Sequence, residues 1–120
     1  MIRAVFHYDR QGRIRAFRME GHAKGWRPWP DIICAAVSAI AQTVIGSLEE
    51  LVEIQTDYRL QKGDISCRLV YPDDEDQARQ AATLMASARI GCLQIQDSYG
   101  KKYLTVIDQA ASDTKGENHD

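Results

Sequence analysis

From Ile2 to Tyr8 the chain alternates, with Ile2, Ala4, Phe6 and Tyr8 on one side and Arg3, Val5 and His7 on the other. Period two marks a strand, because successive side chains leave opposite faces of a sheet. Asp9-Arg10-Gln11-Gly12 supplies turn chemistry, with Gly12 free to take positive φ, and Arg13 to Met19 reads as the returning strand of a hairpin. Periodicity then vanishes. Between Gly21 and Pro30 two glycines, two prolines and two tryptophans share ten positions, which predicts a loop. Asp31 is a good N-cap, and Ile32 to about Leu51 predicts a helix without internal proline. Its polar positions thicken only toward the C-terminal end, so burial on most sides is expected for the first half.

Val52, Ile54, Thr56, Tyr58 and Leu60 alternate with Glu53, Gln55, Asp57 and Arg59, which predicts a strand with one wet face. Lys62-Gly63-Asp64 turns the chain, and Ile65, Cys67 and Leu69 alternate through the partner strand. Pro72-Asp73-Asp74-Glu75 opens a second helix with acids in its first turn. Ala78, Ala81, Ala82, Met85 and Ala88 repeat at helical spacing, and the helix is expected to end near Gly91. Tyr103 to Ile107 is a last strand. The order ββαββαβ predicts an α+β fold of two layers, an antiparallel or mixed sheet covered by two helices. One domain is expected over residues 1–108, with a polar, disordered tail over 109–120.

Charge removes some partners. Fifteen Lys and Arg against seventeen Asp and Glu give a net charge of −2, so no long-range attraction draws nucleic acid, and a direct nucleic-acid partner is not expected. The longest apolar run, Ile32 to Ile40, is interrupted by Ser38 and falls short of the ~20 residues that span a bilayer, so no membrane partner is expected either. Met1-Ile2-Arg3-Ala4-Val5 shows no secretory pattern, which reads as cytoplasmic. There the three cysteines would stay reduced, and their spacing fits no zinc ribbon. Neither a metal nor a cofactor is expected.

Two segments hold candidate chemistry, Gly21-His22-Ala23 after a strand and Asp31-Ile32-Ile33-Cys34-Ala35-Ala36-Val37-Ser38 at a helix start. With Asp31 as cap, Cys34 falls in the first turn, where unpaired N–H groups and the helix dipole favour a thiolate. The same N–H groups offer an oxyanion site. His22 is a base of suitable pKa, provided the loop folds back over the helix start. Set against this, a cysteine among Ala, Ile and Val is by itself more often a small core residue. Cys67 and Cys92 read as packing. Ser38, one turn beyond Cys34, either supports the site or bonds a backbone carbonyl. Trp26 and Trp29 fit a recognition loop or simple packing.

The GHA segment and the D-I-I-C-A-A-V-S segment, at this interval, resemble the ribosomal-processing cysteine protease Prp family, also called YsxB-like. The resemblance covers about residues 2–107 and extends to the ββαββαβ order. It implies a cytoplasmic cysteine endopeptidase that removes a short N-terminal extension from ribosomal protein L27 and works as a homodimer. Carried over by position, Cys34 is the nucleophile and His22 the general base. Asp31 and Ser38 hold supporting positions, and Gly21 allows close backbone approach. The substrate loop runs from Ala23 through Lys24, Gly25, Trp26, Arg27 and Pro28 to Trp29 and Pro30. Here the chain departs from the family, whose loop is rich in small residues and glycine; two prolines and two indoles imply a stiffer loop or an altered substrate fit. The alternative reading is a catalytically silent, ribosome-associated binding module that uses the Trp26 and Trp29 loop.

Overall fold

Asp9 sets the first hairpin. Its carboxylate accepts from the backbone N–H groups of Gln11 and Arg13, both at 2.9 Å, and Gly12 closes the turn at φ 82°. Strand β1 (Ile2–Tyr8) therefore returns as β2 (Ile14–Glu20), antiparallel to it, in a computed structural model that describes residues 1–22 and 29–111, without the side chains of Trp29, Pro30 and Asp31. The register breaks once. His7 faces Ala16 and Tyr8 faces Ile14, so Arg15 is the extra residue of a bulge. That bulge is why Ile14 and Phe17, three apart, are both buried.

Helix α1 (Trp29–Glu50) begins two residues before the expected cap. Trp29 and Pro30, read as loop, are its first two residues, because proline is tolerated in a first turn whose N–H groups have no helical partner. Asp31 is thus a first-turn residue rather than the cap, and Cys34, the sixth helical residue, lies in the second turn. The helix buries a stripe, not most sides: Ile33, Val37, Ala41, Val44, Ile45 and Leu48 are inside, while Ile32 is 39% exposed and Ala35 and Ala39 face out. Between Ile32 and Glu50 it is long and apolar enough to cross a membrane by length and composition, more so than the broken apolar run suggests, and its stripe is part of the protein core.

The stretch 52–56 is not strand. The N–H groups of Leu51 and Val52 bond the Ser47 carbonyl, that of Ile54 bonds Leu48, and the chain reverses at Glu53 with φ 64°. The alternation that predicts a strand here belongs to a helix C-terminus, whose last carbonyls need such partners. Strand β3 is only Asp57–Gln61, and all five residues are exposed rather than one face alone, because it is the sheet edge. It pairs with β4 (Asp64–Arg68) across Lys62 and Gly63.

Helix α2 (Glu75–Tyr99) is capped by Asp74, whose side chain accepts from the Gln77 N–H, and it ends at Gly100 rather than near Gly91. Ala81, Met85, Ala88 and Cys92 form its buried face. Strand β5 (Leu104–Gln109) then pairs parallel to β1. The sheet is mixed, in the order β3-β4-β2-β1-β5, as the α+β reading requires. Phe6, Phe17 and Cys67 share one buried cross-strand row, which ends in Tyr58 at the edge. The next row over, through Arg18, Ser66 and Arg59, lies on the opposite face, which the helices leave open. The expected disordered tail begins too early, since Gln109 is the last residue of β5 and pairs with His7, and its remainder beyond 111 lies outside the described residues.

Candidate active site

The end of β2 is built by close approach. Gly21 has φ 103°, and a β-carbon there would lie 2.5 Å from the Met1 carbonyl oxygen, so only glycine lets the starts of β1 and of the loop meet. Its N–H donates to the Gly63 carbonyl at 3.1 Å. The Met1 nitrogen donates to the His22 carbonyl at 2.8 Å. His22 is therefore held by its main chain between β1 and the β3–β4 turn, with its side chain exposed. The imidazole occupies the space a side chain at Gly63 would take, since a β-carbon there would fall 2.6 Å from Cε1 and 2.7 Å from Nε2.

Cys34 is half-buried against the core, on the flank of the Ile33–Val37 stripe. Its place in the second turn takes its own N–H into the helical ladder and away from the strongest part of the dipole. The free N–H groups of the expected oxyanion site belong to the preceding turn. Among the described residues no hydrogen bond joins the His22 ring to the Cys34 thiol. Residues 23–28, outside the described residues, connect His22 to Trp29 at the head of α1, so the α-carbons of His22 and Trp29 lie at most about 25 Å apart. The Ser38 hydroxyl accepts from Gln42 Nε2 at 2.8 Å, one turn further along α1. Residues Ala23 to Pro28, and the side chains of Trp29, Pro30 and Asp31, lie outside the described residues.

The other two thiols are unlike Cys34. Cys67 and Cys92 are buried, and desolvation pushes each up to about 12. Both are packing residues, as expected, although Cys92 lies within α2 rather than beyond its end. A concavity of about 510 Å³ lies on the open sheet face, lined in part by His7, Arg18, Asp57, Arg59 and Ser66. Neither His22 nor Cys34 lines it. Its ionic groups are engaged with one another, Arg18 with Asp64 at 3.1 Å and Arg68 with Asp57 at 2.9 Å. Burial, with the nearby Arg15 charge, holds His7 below the ordinary imidazole value. That face carries charge pairs, and the thiol that borders it, Cys67, is one that burial pushes up to about 12.

Met1 and Gly63, which lie against His22, were not singled out by the sequence. Gly63 is legible as a turn glycine, but nothing in its neighbours announces contact with a histidine forty-one positions away.

The fold is α+β, a mixed sheet under two helices, with a half-buried cysteine near the head of the first helix and an exposed histidine just past the second strand. The family model described as cysteine protease Prp matches residues 1–104, and the chain belongs to that family. No curated protein matches it. Among solved structures, SMU.848 from Streptococcus mutans is 22% identical with a TM-score of 0.76, covering 92% of this chain and 98% of its own. The S. aureus ribosomal processing protease Prp, in complex with a covalently linked product peptide, is 19% identical with a TM-score of 0.76, covering 91% of this chain and 100% of its own. The same S. aureus protease with a substrate peptide aligns at 18% identity and a TM-score of 0.76, over 91% of this chain and 100% of that one. At these identities the likeness is one of fold.

Proposed function

We propose that the protein is a cysteine endopeptidase that removes the N-terminal extension of ribosomal protein L27. The observation that carries this is family membership together with a cysteine at position 34 and a histidine at position 22, in the two segments that resemble the family motifs. A Prp protease of the same fold has been captured with a covalently linked product peptide and with a substrate peptide, which suits a nucleophile that bonds its substrate.

His22 takes the proton from Cys34, and the thiolate attacks the scissile carbonyl carbon. The collapse of the tetrahedral intermediate breaks the C–N bond, and the amine leaves with the proton that His22 returns. Water, deprotonated by the same imidazole, then hydrolyses the thioester to a carboxylate and frees the thiol. Asp31 favours the site as an acid in the first helical turn, and Ser38 steadies the helix face one turn beyond Cys34. The loop from Ala23 to Pro28, followed by Trp29 and Pro30, holds the substrate. The enzyme works in the cytoplasm as a homodimer, with no metal or cofactor and without membrane or direct nucleic-acid contact.

No hydrogen bond joins His22 to Cys34 in this structure, and in the substrate complex the two side chains close to hydrogen-bond reach. The test is cleavage of L27 bearing its N-terminal extension. A shortened product from the wild type, and at least a ~10³-fold slower reaction with Cys34→Ala at unchanged thermal stability, is the expected result. L27 that binds but remains whole identifies the protein instead as the catalytically silent binding module.

A further inference from the structure

We propose that Gly63, in the β3–β4 turn, is a positioning residue for the imidazole of His22, so that the edge hairpin is part of the catalytic apparatus. The role rests on the reading of His22 as general base. Two observations carry it. The turn is tied to the histidine's own chain segment by the Gly21 N–H to Gly63 carbonyl bond of 3.1 Å, which fixes the turn beside the His22 backbone. In addition, the ring fills the volume beside the Gly63 α-carbon, with Cε1 and Nε2 at 2.6 and 2.7 Å from where a β-carbon would stand.

Non-bonded carbons settle at about 3.5–4.0 Å. A methyl at position 63 therefore drives the ring away by roughly 1 Å. Because His22 is an exposed side chain, the ring yields by rotating and the fold survives. A general base must reach its proton within hydrogen-bond distance, and an error of ~1 Å in such a group costs up to ~10²-fold in rate. Glycine at 63 thus does two jobs. It adopts φ 80°, and it leaves the imidazole a seat.

The molecule contains its own control. Gly12 turns the first hairpin at φ 82°, and a β-carbon there meets nothing within 4 Å. Gly12→Ala and Gly63→Ala suffer nearly the same backbone strain, but only the second displaces the ring. The experiment measures urea midpoints, steady-state cleavage of extended L27, and the His22 Cε1 proton resonance for the wild type, both alanine variants and His22→Ala.

The expected result is a similar fall in midpoint for the two glycine variants, wild-type kcat for Gly12→Ala, and a ~10- to 100-fold lower kcat with little change in KM for Gly63→Ala. The Cε1 resonance moves only in Gly63→Ala. Equal kcat in the two glycine variants, with an unmoved resonance, overturns the positioning role while leaving His22 as base. Full activity in His22→Ala overturns the general-base reading and the positioning role with it, even if the resonance still moves in Gly63→Ala.

Discussion

Three thiols in one chain occupy two chemical environments, and the difference is measurable. Cys67 and Cys92 sit in the core with their thiols pushed up to about 12 by desolvation, so at pH 8 both stay protonated. Burial adds a steric barrier to that chemical one. Cys34 is only half-buried, on the outer flank of its helix. Iodoacetamide at pH 8 is therefore expected to label the folded protein once and at Cys34, and Cys34→Ala should take up label only on unfolding; peptide mapping by mass spectrometry reads both. This division was legible in the sequence, because Cys67 alternates with Ile65 and Leu69 and Cys92 stands beside Gly91 and Leu93. Gly63 and Met1 were not. Period and motif report what a residue does within its own element, and a contact between two turns far apart in the chain leaves no periodic trace.

The elements show where local signals mislead. A glycine inside a helical pattern reads as a stop, yet α2 continues past Gly91 to Tyr99. Its purpose is contact with α1: a β-carbon at Gly91 would stand 2.9 Å from Ile40 Cδ1, so the small residue lets the two helices close on each other. Gly91→Leu should destabilise the protein by about 1–3 kcal/mol through overpacking. Gly91→Ala should be close to neutral, since a helix-propensity gain of about 1 kcal/mol offsets a displacement of only the tip of a flexible side chain. Urea unfolding of both variants separates a packing glycine from a helix terminator, at which alanine too would be destabilising because a terminating glycine takes positive φ. The stretch 52–56 errs the other way. Val52 and Ile54 alternate like strand residues, but their N–H groups are used to finish α1, and hydrogen-bond demand at a helix end outweighs a two-residue pattern. Pro30 moved the start of α1 for a related reason, and with it Cys34 from the first turn to the second.

At the scale of the whole molecule, topology explains why the candidate site forms where it does. The start of β1, the end of β2, the β3–β4 turn and the lead into β5 all meet at one end of the sheet, tied by Met1 to His22, Gly21 to Gly63, and Ile2 to Tyr103 at 2.9 Å. The opposite end is tied by charge. Asp108 on β5 takes two hydrogen bonds from Arg89 on α2, at 2.8 and 2.7 Å, and one from the Tyr8 hydroxyl on β1 at 3.2 Å. The Arg89 guanidinium, chiefly through its hydrogen bonds, holds the Asp108 carboxyl below its ordinary value of 3.8. The folded state therefore binds this proton less readily than the unfolded chain does, and the stabilisation is present above the ordinary carboxylate value and lost as pH falls through the lowered one. Asp108 is 43% exposed and Arg89 31%, so solvent screening limits the contribution to below about 1 kcal/mol. Asp108→Asn should accordingly lower the unfolding free energy by up to about 1 kcal/mol at pH 7, with the wild type and variant converging as the pH drops below 3.8. Urea titrations of both proteins across that range give the difference directly, and a gap that persisted undiminished into acid would assign the loss to packing at the β1–β5–α2 junction rather than to the ion pair.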